Sequence, residues 1–310
     1  MTKTTYRLVT RSDFDGLVCA VLLKELGMID DIKFVHPKDM QDGTILVSDR
    51  DITTNLPYVR GVYLAFDHHL SETIRLDEIP DNYITDPDAP SAARVVYDHY
   101  GGKERFPGIS NSMMEAVDKA DSAQFDKDEV LDPNGWVLLN TLMDSRTGLG
   151  RFKEFRISNY DLMMTLIEAC RDHSVDKILA LPDVKERIDL YRDQVEKAKE
   201  QIKRCTKVTG NVGVLDLRGE DTIFATNRFT IYALLPEINI SIHVMWGLNK
   251  LNTVMAVGKS VLNRTSKTNI GALMLEYGGG GHPNAGTCQI DNDKADKVLG
   301  ELVDTITTDG

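Results

Sequence analysis

The sequence predicts an α/β protein, with an N-terminal, mainly parallel sheet covered by helices on both faces and a helical linker to a smaller C-terminal α/β domain. Three observations carry this expectation. Over the first hundred residues short apolar runs alternate with helix-like stretches, the pattern of βαβ units. A highly charged run then places Ile188, Tyr191, Val195, Ala198 and Ile202 three or four residues apart, as an amphipathic connecting helix would. Beyond it the texture changes to strands separated by turn residues.

Taken in order, residues 6–10 read as a strand, 17–26 as a helix, 32–35 and 44–48 as strands, 61–66 as a buried strand and 91–100 as a helix. Residues 113–120, 136–143 and 159–170 follow as helices, and 184–205 as the connecting helix. Strands are expected at 212–217, 238–246 and 253–257. The implied division is a first domain at 1–185, a linker helix at 186–205 and a second domain at 206–310. No internal repeat or low-complexity tract interrupts it. In an open parallel sheet ligands sit beyond the carboxyl ends of the strands, and three of the predicted strand ends lead straight into Asp-containing sequence.

Composition bounds the function. The 310 residues carry 48 Asp and Glu against 36 Lys and Arg, a formal charge of −12, and 42% are hydrophobic, enough for two cores. An acidic chain is not one that coats long nucleic acid, which needs a basic face, but a local pocket can still hold a small anion. No apolar run in the N-terminal third approaches the roughly 18 residues of a membrane span. No apolar signal core follows Met1, so a cytoplasmic location is expected. Cys19, Cys170, Cys205 and Cys288 form no CxxC pair and read as reduced thiols.

Three segments carry chemistry. Arg11-Ser12-Asp13-Phe14-Asp15-Gly16 sets two carboxylates between the first strand and the first helix; Ser48-Asp49-Arg50-Asp51 closes the strand expected at 44–48; Phe66-Asp67-His68-His69 closes the strand from Gly61. Each alone can be an ordinary capping loop or turn. Together they would deliver oxygen and nitrogen ligands to one crevice, as a pair of divalent cations roughly 3.5 to 4 Å apart requires for in-line attack on phosphorus. In the second domain the run Gly278-Gly279-Gly280-Gly281 leaves backbone amides open to an anion, and Arg264, with Lys259 and Lys267, offers a fork for phosphate.

On these residues the chain resembles the DHH family of phosphoesterases, in the subgroup with a C-terminal DHHA1 domain that includes nanoRNase and pAp-phosphatase enzymes, over nearly its whole length. Asp67-His68-His69 matches the name-giving motif. Asp13 and Asp15 match the first motif, Asp49 the second and Asp121, in Lys119-Ala120-Asp121-Ser122, the fourth. The segment Gly278–Gly286 resembles the DHHA1 glycine loop, and Asn263-Arg264-Thr265-Ser266-Lys267 its phosphate-binding segment. The resemblance implies that Asp15, Asp49, His68 and Asp121 hold one metal and Asp13 and Asp49 another. Asp67 would support them from behind and His69 would act on the substrate; Arg11, beside them, is taken as a further catalytic candidate on substrate phosphate. Gly279, Gly280, Gly281, His282, Arg264 and Lys267 would grip the rest of the substrate.

One departure falls at the metals: the family's first motif opens with histidine, and here that position is Arg11, which cannot ligate a cation. The first metal is then held by Asp13, Asp49 and water, or the guanidinium partly replaces its charge, or one ion suffices; a retained but weakened first site is the working expectation. The ions implied are two Mn2+, with Mg2+ or Co2+ as alternatives. The implied function is metal-dependent hydrolysis, in the cleft between the domains, of short phosphate-containing nucleotides: short oligonucleotides, pAp-type nucleotides, or cyclic and linear dinucleotides. Polyphosphate hydrolysis is the alternative reaction, and a nucleotide-binding sensor weakened by Arg11 the alternative class. Neither a membrane nor long duplex nucleic acid is expected as a partner, and the chain is open to homodimer formation.

Overall fold

The computed structural model describes residues 4–152 and 154–310. They form two compact units. The first runs up to Gln124 and adds Pro133–Ser145 and Leu149–Ile188; the second comprises Phe125–Asp132, Arg146–Gly148 and Asp189–Gly310.

The first unit is built on strands β1 (Tyr6–Arg11), β2 (Ile29–Val35), β3 (Asp51–Thr54), β4 (Leu64–Asp67) and β5 (Tyr83–Thr85), in the order β2-β1-β3-β4-β5. All four pairings are parallel, so every strand carries its carboxyl end to the same edge. Its helices are α1 (Phe14–Glu25), α2 (Pro37–Gln41), α3 (Leu70–Arg75), α4 (Ala92–His99), α5 (Gly102–Arg105) and α6 (Asn111–Asp121), and, after the short α7 (Lys127–Leu131) of the other unit, α8 (Gly135–Met143), α9 (Asn159–Asp172) and α10 (Val175–Leu179). Asp13 caps α1, its side chain accepting from the Gly16 amide at 3.0 Å. The seven residues Leu17 to Leu23 of α1 are all fully buried, so this helix is apolar all round, as a helix packed between other elements must be. It packs against α4, α6 and α9.

The strand expected at 44–48 does not form, and the strand is β3, seven residues later. Ile45 and Val47 instead turn towards the cluster of Val9, Met40 and Leu56, while Leu46 between them is 85% exposed. An alternating apolar run thus serves a loop packed on the sheet's flank. The β-branched run Ile52-Thr53-Thr54 takes the ladder position instead, in register with β1 as Leu8↔Ile52, Val9↔Thr53 and Thr10↔Thr54. Buried Asp51 anchors its start, accepting from Arg7 Nε at 2.6 Å and from the Ser48 amide at 2.7 Å.

Helix α11 (Pro182–Cys205) runs from the first unit into the second. The second unit's sheet contains β6 (Thr206–Thr209), β7 (Val212–Asp216), β8 (Ile240–Trp246), β9 (Thr253–Lys259), β10 (Gly280–His282) and β11 (Ala285–Ile290), in the order β10-β11-β9-β8-β7-β6. Besides α7, its other helices are α12 (Thr230–Leu234), α13 (Ile270–Glu276) and α14 (Ala295–Asp309). Ile240, Ile242 and Val244 of β8 and Met255 and Val257 of β9 alternate onto one face, where Ile270 and Met274 of α13 and Leu302 and Ile306 of α14 complete the core. The expected α/β class and the change to a second sheet are both present. The four cysteines are free thiols. Among the described residues no helix is long and apolar enough to cross a membrane.

Candidate metal centre

Three side chains converge at the carboxyl edge of the first sheet. Asp15, in the first turn of α1, is 2% exposed. Its Oδ1 accepts from the Ala93 amide at 2.7 Å and its Oδ2 from the Ala92 amide at 3.0 Å, both at the N-terminus of α4, where unpaired amides and the helix dipole favour an anion. His68 follows β4, and Asp121 ends α6. Asp15, His68 and Asp121 each present one ligand atom within 4.8 Å of the others.

The three groups perturb one another strongly. Burial, and then the nearby charge of Asp121, raises the Asp15 carboxyl far above the ordinary carboxylate range. Burial opposes charging of His68, but its pairing with Asp121 outweighs that and raises it to about 9. Asp121 is lowered: burial works against it, and His68, His69 and Arg11 overcome the effect.

The tautomer of His68 tests whether a metal fits. Its Nδ1 lies 3.0 Å from the Ala89 carbonyl oxygen, which can only accept, so Nδ1 carries the hydrogen. Nε2 is then buried 2.8 Å from Asp121 Oδ2, where only a cation or a second proton, which the raised pKa of His68 reflects, can lie between the two atoms. Two lone pairs facing each other at that distance need a positive charge between them, and a backbone carbonyl behind the imidazole is the usual support of a metal-ligating histidine. The residues fit a divalent cation.

Around them lies a second layer. Asp67, fully buried, accepts from His69 Nδ1 at 2.7 Å and from the Tyr83 hydroxyl at 3.2 Å, so His69 also carries its hydrogen on Nδ1. Its pKa is raised, burial opposing the charge and the Asp67 hydrogen bond favouring it more strongly. The phenol of Tyr83 is pushed well up by burial and by Asp67. Asp118 holds α4 to α6: its Oδ1 accepts from Ser91 Oγ at 2.8 Å and its Oδ2 from Arg94 Nη2 at 2.6 Å.

Arg11 and Asp13 stand beside the three ligands but are bound to each other, Arg11 Nε to Asp13 Oδ2 at 2.9 Å. Asp49 is not brought to the centre. It is exposed and precedes β3, at the amino end of the sheet, because the strand that would have ended at it does not form. The position it was expected to fill belongs to Asn55, which follows Thr54 at the carboxyl end of β3 and is 1% exposed. The sequence Ile52-Thr53-Thr54-Asn55 held the signal, a β-branched run closed by a polar residue.

No family model and no curated protein matches the chain. Among solved structures, the chain is similar to the pGpG-specific phosphodiesterase PggH from Vibrio cholerae, with 61% identity over 99% of this chain and 100% of that one, and a TM-score of 0.87. The chain belongs to the DHH family of phosphoesterases. Two distant structures share the DHH fold: RecJ from Thermus thermophilus in complex with Mn2+ (12% identity, TM-score 0.52, 97% of this chain and 52% of that one) and CDC45 from Entamoeba histolytica (10%, 0.52, 98% and 95%).

The second unit of this DHH protein gathers its own candidate residues. The Lys259 amide donates to the Asn284 carbonyl at 2.9 Å and Lys259 Nζ to the Ser266 carbonyl at 3.1 Å, so the glycine segment and the 263–267 loop are neighbours. Arg264, Lys267 and His282 are exposed there. The glycines, however, are not an open anion nest. A Cβ on Gly279 would come within 2.2 Å of the Thr287 carbonyl oxygen, and one on Gly281 within 2.3 Å of that of Ala285. Their lack of a side chain lets the β10–β11 hairpin close on itself.

Proposed function

We propose that this DHH phosphoesterase hydrolyses the linear dinucleotide pGpG to two molecules of GMP. Water adds to the internal phosphorus, the bond to the 3′ oxygen breaks, and that oxygen takes up a proton. The observation that carries the proposal is the 61% identity, over 99% of the chain, to a pGpG-specific phosphodiesterase. Hydrolysis of phosphoesters is the activity of the family; the guanine dinucleotide is the particular substrate we assign.

Asp15, His68 and Asp121 would hold a divalent cation, and two carboxylates with one imidazole suit Mn2+, with Mg2+ or Co2+ as alternatives. When bound, the cation supplies Lewis-acid charge to the phosphoryl oxygens and makes hydroxide available near neutral pH. Asp67 fixes the His69 ring by its Nδ1–H, leaving Nε2 as the edge that donates to a phosphoryl oxygen when the ring is protonated. Arg11, with Nε committed to Asp13, would meet the substrate phosphate with its Nη edge. In the second unit Arg264 and Lys267 are the proposed phosphate contacts, with His282 as companion. With a net charge of −12, short substrates are favoured over long duplexes. A cytoplasmic site of action belongs to the same proposal.

The test is a panel of pGpG, pApA, a pentaribonucleotide, pAp and polyphosphate with Mn2+, in which mononucleotide and inorganic phosphate are resolved separately. GMP formed fastest from pGpG, without free phosphate, is the expected result. Phosphate released from pAp or polyphosphate while pGpG stays intact would overturn the proposal.

A further inference from the structure

We propose that the centre is mononuclear: the Arg11 guanidinium, bonded to Asp13, occupies the place of a second cation, and Asn55 offers its amide oxygen to the single ion held by Asp15, His68 and Asp121. This rests on the metal-dependent reading above and specifies its centre.

The first argument is the state of Asp13. Its Oδ2 takes Arg11 Nε at 2.9 Å, and its Oδ1 takes both the Gly16 amide at 3.0 Å and Asn55 Nδ2 at 3.3 Å. Both oxygens are thus occupied by N–H donors, one of them permanently charged. A metal ion at Asp13 would have to displace the guanidinium and then tolerate it as a neighbour. The charge of Arg11 already reaches across to Asp121.

The second argument is Asn55. The register sets Thr54 of β3 against Thr10 of β1 and Phe66 of β4, so the next residues along the edge are Arg11, Asn55 and Asp67. Asn55 sits between the arginine on one side and the His68 segment on the other. An ionised carboxylate only accepts, so the atom facing Asp13 must be the NH2 group. That leaves Asn55 Oδ1 as the oxygen without a donor, and it is buried with no hydrogen-bond partner. The backbone holds it there in a left-handed conformation, φ +54°, one that Asn tolerates better than most side chains. A buried amide oxygen without a donor is what a hard cation uses as a neutral ligand.

The third argument is charge. Arg11 neutralises Asp13, and one divalent ion neutralises Asp15 and Asp121. Two divalent ions beside Arg11 would leave this group of three carboxylates two charges positive. Asp67 is already committed to His69 and Tyr83, and Asp49, the expected fourth carboxylate, is at the other end of the strands. Arg11 and Asn55, 44 residues apart in the chain, therefore have one explanation.

The test is binding of Mn2+ alone to the chelator-stripped full chain, by calorimetry and by metal analysis after gel filtration, with the Mn2+ spectrum recorded by electron paramagnetic resonance. One ion per chain with the six-line spectrum of an isolated Mn2+ is expected. Arg11→Lys keeps the charge and should still take one ion; the double substitution Arg11→His with Asn55→Asp should take two, with an exchange-coupled spectrum. Asn55→Ala should weaken the single site by roughly ten-fold or more. Two ions in the native chain would overturn the mononuclear centre and leave metal-dependent hydrolysis intact. Failure to bind any ion, with activity retained in chelator, would overturn the metal-dependent reading and this inference with it. An unchanged affinity in Asn55→Ala, with native circular dichroism, would remove Asn55 from the site.

Discussion

At the scale of single residues, Asp67 has no exposed surface and two donors, the His69 ring and the Tyr83 hydroxyl. An amide in its place can accept from only one of them through its oxygen and must turn its NH2 towards the other. Asp67→Asn should therefore leave the fold intact and lower kcat roughly 10- to 100-fold, with a smaller change in KM, because it loosens a ring beside the chemistry. Steady-state kinetics of the variant check this, and a KM effect with unchanged kcat would count against it. Gly16 is constrained differently: a Cβ there would sit 2.0 Å from the Arg11 carbonyl oxygen and 2.8 Å from Thr10 Oγ1. Gly16→Ala should cost about 3 kcal/mol or more in urea unfolding, since backbone rather than a mobile side chain has to move. The sequence made Asp15, His68 and Asp121 legible because their chemistry is visible in their names and the motifs are local. Asn55 was not legible, since an asparagine after Thr-Thr looks like any turn residue until pairing with β1 sets its position. Asp49 misled because alternation in 44–48 mimics a strand when the partner surface is hidden.

At the scale of elements, the centre depends on α4 and α6 being held together. Asp118 does this through Ser91 and Arg94, with side chains 24% exposed at Arg94 and 18% at Asp118. Removing the carboxylate leaves a half-buried guanidinium without its partner, and Asp118→Ala should lose about 1 to 3 kcal/mol of stability. It should also weaken Mn2+ binding by roughly 10- to 100-fold, since the Ala92 and Ala93 amides that orient Asp15 are no longer fixed relative to Asp121. Asp118→Asn, which can still accept from Ser91, should lie between the native chain and Asp118→Ala in both measurements. The glycine run shows how an element-level reading goes astray: four glycines signal close backbone approach, but whether a ligand or the chain's own hairpin approaches depends on β11, which gave no strong signal in the sequence.

At the scale of the whole molecule, acid stability has an identifiable contributor in the second unit. His243 lies on β8, between Ile242 and Val244 but facing away from their core, and burial lowers its pKa to about 4. The unfolded chain, near 6.5, binds the proton first, so this contribution is complete above pH 6.5 and is lost as pH falls towards 4, by about 3 kcal/mol in all. His243→Gln should flatten the fall in urea midpoint between pH 6.5 and 4. Trp136 belongs to the first unit and Trp246 to the second, so in a Trp136→Phe background fluorescence follows the second unit alone. An unchanged pH slope would show that other groups set the acid limit. The two-unit α/β plan was readable from periodicity because strand and helix periods differ everywhere along the chain; the pairing order of the strands depends on contacts between distant segments and was not.

Helix α1 also constrains how the chain can be made. Its apolar cylinder is complete by Glu25, but α9, the last of the helices packed against it, begins at Asn159, about 130 residues later. At roughly 5 to 20 residues per second, a ribosome takes about 7 to 27 s to supply that cover. For that interval the nascent chain carries a segment with no polar face to turn outwards. Synthesis speed and chaperone supply, more than the stability of the finished fold, should then limit how much of this enzyme a cell accumulates.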